Sequence, residues 1–269
     1  MREGSLRGGV PYLAVGSGPP LVLLPGLSGE NANPTGLARR FQLRWTRPLA
    51  RHFTVYIVNR RPGLEPSSTM ADLAGHCAEA VADRFASSVP VVGTSTGGSV
   101  AQQLAIDHPA LVDRLVLSDT AYRLSDRGRE AQRGLARLTE AGRPRQAWAA
   151  VGPAMGSTGP GRRAMTALLW LSGSMMNPDD PSDMLVTIAA EDAFDCWSDL
   201  PRISAPTLVV AGERDGFYSP ELFGETAARI PHARLLLYPG KGHDTGLNHG
   251  PAVRSVIDFL TAEKSSTEG

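Results

Sequence analysis

The run Gly93-Thr94-Ser95-Thr96-Gly97-Gly98 follows the apolar segment Val89-Pro90-Val91-Val92 and precedes a helix-like stretch from Ser99 to Ala105. That order reads as a strand, a tight turn and a helix, with Ser95 at the apex. The small residues have a steric role. A serine pushed out of so sharp a turn takes up a strained backbone conformation, and Gly93 and Gly97 let strand and helix meet closely. A hydroxyl at a helix N-terminus also faces free backbone N–H groups and the positive end of the dipole, which favour developing negative charge. A bare Gly-x-Ser-x-Gly string arises by chance; the strand before it, the helix after it and the additional Gly98 mark it as the seat of a nucleophile.

Short β-like runs alternate with amphipathic helical segments on both sides of this turn. Strands are predicted at 11–15, 21–24, 54–58, 115–117, 207–211 and 233–238, besides the one entering the turn. Helices are predicted at 37–50, 70–86, 220–230 and 251–260. In the second of these, Leu73, Cys77, Val81 and Phe85 recur at four-residue spacing on one face. The alternation implies an α/β fold, a mostly parallel central sheet flanked by helices. From about Tyr122 to Leu200 the pattern changes to successive helical segments, at 127–141, 144–155, 161–171 and 181–193, with breaks at Gly142-Arg143-Pro144, 156–160 and 177–181. This predicts a helical insertion, 122–200, in a core made of 1–121 and 201–269. With the serine turn, these features resemble the α/β-hydrolase family, of the serine hydrolase or esterase type with a helical cap. The resemblance spans nearly the whole chain.

Composition narrows the partners. At 269 residues with 42% hydrophobic and 20% charged residues, the chain suits one large globular domain. Lys+Arg and Asp+Glu are equal at 27 each, without the basic surplus of a nucleic-acid binder. Cys77 and Cys196 are far apart, have no metal-like spacing, and read as two reduced thiols. The opening Met1-Arg2-Glu3-Gly4-Ser5 lacks an apolar signal core, no stretch approaches transmembrane length, and the tail 262–269 is polar. The expectation is a cytoplasmic protein, monomer or homodimer, with a small-molecule substrate and neither a nucleic-acid nor a membrane partner.

A serine hydroxyl needs a base within hydrogen-bond reach, and the base needs a group that fixes its tautomer. His243, in Gly240-Lys241-Gly242-His243, follows the last predicted strand and so reaches the sheet edge that carries Ser95. His249 is read instead as the start of the terminal helix. The resemblance implies the chain order serine, acid, histidine. Asp215, in Gly212-Glu213-Arg214-Asp215, then stands where the family carries its acid. Asp119, just after the strand 115–117, is the alternative acid, with Glu213 and Asp244 behind it. For the oxyanion, the resemblance implies the backbone N–H of Thr96 and of Leu27, in Pro25-Gly26-Leu27. Many relatives carry His-Gly where this chain has Pro-Gly, so a histidine that could brace this loop is missing. The segment Ser28-Gly29-Glu30-Asn31 reads as a polar loop.

Trp148 and Trp170 in the insertion, and Phe217 and Tyr218 beside Asp215, are candidates for lining an apolar pocket, with core packing as the competing reading. The combined expectation is hydrolysis of a small or medium, largely apolar carboxylic ester or lactone through an acyl-enzyme. Neither metal nor cofactor is called for, because there is no zinc spacing and no dinucleotide fingerprint. A small-ligand receptor, or a lyase or cyclase using His243 as a base, is the alternative on the same fold. Thioester, carbon–carbon bond and perhydrolysis chemistry stay open.

Overall fold

A computed structural model describes residues 1–262; the rest of the polar tail, from Glu263, lies outside the described residues. The strands are β1 (Arg2–Ser5), β2 (Pro11–Val15), β3 (Pro20–Leu24), β4 (Thr54–Val58), β5 (Val89–Thr94), β6 (Val112–Ser118), β7 (Thr207–Gly212) and β8 (Ala233–Tyr238). They form one sheet in the order β1-β2-β4-β3-β5-β6-β7-β8, in which β2 pairs antiparallel with both β1 and β4 and all other neighbours pair parallel. Strand β1 was not anticipated. All of its residues are exposed, so it carries no apolar alternation and owes its conformation to pairing with β2.

The inner strands bury side chains on both faces, with the period of two that a pleated backbone imposes. Val22 and Leu24 of β3 enter one core, whereas Leu21 and Leu23 enter the other. The first core is covered by α2 (Met70–Arg84), α3 (Thr96–Asp107) and α8 (Pro220–Arg229). The second is covered largely by the short α9 (Thr245–Asn248) and by α10 (Gly250–Thr261). Helix α1 (Gly36–Thr46) lies on the second side, touching that core through Leu43. It ends four residues before the predicted 50, and a 3-10 turn at Leu49–Arg51 completes the segment, because Pro48 cannot donate to a continuing helix.

Between β6 and β7 the chain makes four helices: α4 (Asp126–Glu140), α5 (Pro144–Met155), α6 (Gly159–Met176) and α7 (Ser182–Asp192). Side-chain caps start two of them, Ser125 accepting from the Gly128 N–H and Thr158 from the Gly161 N–H. Helix α6 runs five residues past its predicted end. This insertion reaches the loops at the sheet edge. The Gly216 N–H donates to the Ala154 carbonyl at 2.9 Å, and a Cβ on Gly242 would stand 2.7 Å from the Met155 carbonyl oxygen. Cys77 and Cys196 are both buried and free, and burial pushes both thiols up, Cys77 to about 12, which leaves them poor nucleophiles. Among the described residues, no helix is long and apolar enough to cross a membrane.

Candidate active site

Six parallel strands each end in a loop carrying one residue of the candidate site: β3 leads to Leu27, β4 to Arg60, β5 to Ser95, β6 to Asp119, β7 to Asp215 and β8 to His243. Loops at the carboxyl ends of parallel strands are where such sheets gather their polar groups, and here the shared strand direction brings distant residues together.

Ser95 has φ 50° and ψ −125°, a conformation rare for a residue with a side chain. The turn is held because its neighbours leave no alternative. A Cβ on Gly93 would stand 2.6 Å from the Gly97 carbonyl oxygen, and one on Gly97 would run into the carbonyl oxygens of Leu24 and Pro25. Strand β3, the turn and α3 therefore pack backbone against backbone. The Gly98 and Ser99 N–H groups bond back to the Ser95 carbonyl, at 2.7 and 3.3 Å, starting α3. The Thr96 N–H belongs to the first turn of that helix, whose donors have no intrahelical partners.

The structure brings Ser95, His243 and Asp215 into one relay. Ser95 Oγ lies 3.0 Å from His243 Nε2, and His243 Nδ1 lies 2.7 Å from Asp215 Oδ2. The other Asp215 oxygen accepts from the N–H groups of Phe217 (2.8 Å) and Tyr218 (3.2 Å), which orients the carboxylate. Burial opposes charge on His243, but the Asp215 carboxylate, by its charge and its hydrogen bond, together with Asp244 and Asp119, outweighs burial and raises the imidazole to about 10.

Asp119 does not bond to His243. Its oxygens accept from the Thr245 N–H (3.0 Å) and the Gly246 N–H (2.9 Å), and Ser118 Oγ donates to it at 2.9 Å. It thus clasps the chain immediately after His243. Burial raises its carboxyl to about 7, with the nearby acids adding and His243 opposing. Glu213 accepts from the Gly240 N–H on the outer side, and Asp244 takes a left-handed conformation at φ 71°. His249 is the residue before α10, as expected.

The pocket candidates separate. Phe217 and Tyr218 pack on His243, with ring centroids 4.7 and 6.3 Å from the imidazole. Trp148, in α5 of the insertion, is buried and packs into the first core. Trp170 is 42% exposed in an outward groove between α5 and α6, with the Arg145 guanidinium 4.9 Å above its ring, and Ser95 does not line that groove. A Met/Trp-rich helix carries no signal for which of its faces turns inward, and tertiary packing turned this tryptophan outward.

Two buried charged residues beside the candidate site were not singled out from the sequence. Glu191, in α7, is 1% exposed. Its carboxylate accepts from Thr96 Oγ1 (2.6 Å), Gln132 Nε2 (2.9 Å), Ser99 Oγ (3.2 Å) and Tyr218 OH (3.0 Å). It therefore ties the insertion to the turn after Ser95 and to the loop of Asp215. Arg60 is buried behind the Pro25-Gly26-Leu27 loop and donates to the carbonyls of Pro25 and Gly26 (both 3.1 Å), to Ser28 Oγ (2.8 Å) and to Asn31 Oδ1 (3.1 Å). Burial lowers its guanidinium to about 10, against the pull of Glu191 and Asp183, so it stays cationic at neutral pH. The one available signal was indirect: Asn59-Arg60-Arg61 follows β4 at the same edge, but a polar loop after a strand is normally solvated.

The chain belongs to the alpha/beta hydrolase family, whose model matches residues 21–254. It is 31% identical over 262 residues to polyketide synthase ThaQ of Burkholderia thailandensis, covering 91% of this chain but only 12% of that synthase. It is 25% identical over 267 residues to a pimeloyl-[acyl-carrier protein] methyl ester esterase of Nitrosomonas europaea, covering 91% of this chain and 96% of the esterase. A hydrolase from Pseudomonas aeruginosa PA01 superposes with a TM-score of 0.75 at 25% identity, over 97% of this chain and 98% of that one. Hydrolysis is the class of chemistry these comparisons support.

Proposed function

We propose that the protein is a serine hydrolase that cleaves small or medium, largely apolar carboxylic esters or lactones, with Ser95 as nucleophile, His243 as base and Asp215 as its orienting acid. The observation that carries this reading is the continuous relay of 3.0 and 2.7 Å from Ser95 through His243 to Asp215. His243 takes the Ser95 proton as Oγ attacks the substrate carbonyl. The N–H groups of Thr96 and Leu27 receive the oxyanion. Protonated His243 passes its proton to the leaving group, and water then releases the acid by the same steps in reverse. Asp215 accepts from Nδ1–H throughout and holds the proton-free Nε2 toward Ser95. The insertion 122–200 acts as a cap over the core 1–121 and 201–269, a reading supported by its contacts to the Asp215 and His243 loops. That a relative is named a methyl ester esterase makes esters the first substrates to screen.

The test is intact mass after exposure to a fluorophosphonate probe. The parent is expected to gain one adduct, absent in Ser95→Ala and formed at least 10²-fold more slowly in His243→Ala, about the scale of acid–base catalysis. A folded parent that gains no adduct rejects the reading in favour of a ligand-binding or base-only protein.

A further inference from the structure

We propose that Arg60 is a positioning residue that aims the Leu27 N–H into the oxyanion site, taking the place of the absent histidine brace; the inference rests on the hydrolase reading above. A trans peptide is planar, with its C=O and N–H pointing in opposite directions. The C=O of Gly26 and the N–H of Leu27 belong to the same peptide. Arg60 Nη2 holds that carbonyl at 3.1 Å, so the Leu27 N–H is turned away from Arg60. Arg60 Nη1 holds the preceding peptide through the Pro25 carbonyl, also at 3.1 Å. The planar guanidinium fork thereby fixes two successive peptide planes with one rigid group, which an ammonium on a flexible stem cannot do.

The place that these planes occupy matters for chemistry. Gly26 lies against the nucleophile, because a Cβ there would stand 3.3 Å from Ser95 Cβ and 4.0 Å from Ser95 Oγ. No strand or helix holds residues 25–35. What holds them is a set of side-chain bonds, in which Asn31 Nδ2 donates to the Arg61 carbonyl (2.9 Å) and Asn33 Nδ2 to the Tyr12 carbonyl (2.9 Å), besides the four from Arg60. Among the described residues, only Arg60 bonds to the peptide that carries the donor. The fork is itself oriented, since Nε donates to Asn31 and Nη2 also to Ser28.

The test uses p-nitrophenyl butyrate as reporter, an alkyl boronic acid as a tetrahedral adduct-former, and fluorophosphonate titration to count competent sites. In Arg60→Met, kcat per titrated site is expected to fall by about 10²-fold, on the scale of losing one oxyanion donor, with KM within about threefold. Boronate affinity should fall in parallel. Arg60→Lys keeps the charge and loses the fork, and should fall at least tenfold. A residue needed only for folding would lower the number of titrated sites and leave kcat per site and boronate affinity unchanged; that result in Arg60→Met overturns the proposal. Arg60→Lys at parental kcat also overturns it, by showing that charge and not the held peptide matters, and this variant decides should Arg60→Met fail to fold. A parent that neither titrates nor turns over the ester rejects the hydrolase reading instead.

Discussion

Replacing Glu191 by glutamine changes one oxygen for an amide nitrogen and keeps the shape. The native carboxylate accepts four donors, at 2.6 to 3.2 Å, from Thr96, Gln132, Ser99 and Tyr218. Hydrogen bonds to a charged acceptor contribute about 1.5–3 kcal/mol and neutral ones about 0.5–1.5, so neutralising four of them forfeits roughly 4 kcal/mol. Glutamine also presents an NH2 group to two of the donors. The hydroxyls of Ser99, Thr96 and Tyr218 can rotate to accept, but the Gln132 NH2 cannot. Relief of the cost of burying a carboxylate offsets part of this, because no cation lies within bonding distance of Glu191 among the described ion pairs. The net loss is about 3 kcal/mol, a fall in Tm of roughly 6–12 °C at 2–4 °C per kcal/mol. Scanning calorimetry at neutral pH measures it. The neighbouring Asp192→Asn is the control, because the 2.8 Å pair of Asp192 with the exposed Arg133 is worth about 1 kcal/mol or less. A Glu191→Gln protein that melts within about 1 °C of the parent, or above it, refutes the reasoning by showing that desolvation of the carboxylate cancels its four bonds.

The other predictions concern the histidine. Attack needs neutral His243, whose pKa lies above its ordinary 6.5, so fluorophosphonate labelling should climb with pH from 6.5 toward 10; a rate already flat at pH 6 would show that Asp215 does not hold the proton there. The linked stability has the opposite sense: a raised imidazole stabilises the fold most fully below pH 6.5 and loses that contribution as pH rises through about 10, which calorimetry at pH 6 and 9 tests. Asp215→Asn should slow labelling by roughly 10³–10⁴-fold through the wrong tautomer, and Asp119→Asn by about tenfold through a loosened loop; the reverse ranking would make Asp119 the acid.

The element plan and the strained serine turn were legible because both depend on local rules. The aliphatic run at 21–24 could only be a buried strand, and Gly93 and Gly97 around Ser95 state a steric requirement that neighbouring residues impose on each other. The sequence could rank Asp215 above Asp119 only by the strand after which the resembled family usually carries its acid, since both lie between Ser95 and His243 and both follow parallel strands; distance separated them, by placing one carboxylate on His243 and the other on the two amides behind it. Strand β1 was invisible because pairing with β2, and not burial, forms it. Trp170 was misplaced because composition names a face without saying which way it turns.

By itself, then, the chain determined an alternating α/β architecture, a helical insertion and a serine on a strained turn, all consequences of contacts a few residues long. Which side chains brace that turn and the loop beside it was decided only in three dimensions. Arg60 and Glu191 are polar residues in a loop and a helix that would ordinarily face water. Burial reversed their meaning: with solvent gone, each must satisfy its charge on the protein, and the groups within reach are the loop of Leu27 and the side chain of Thr96.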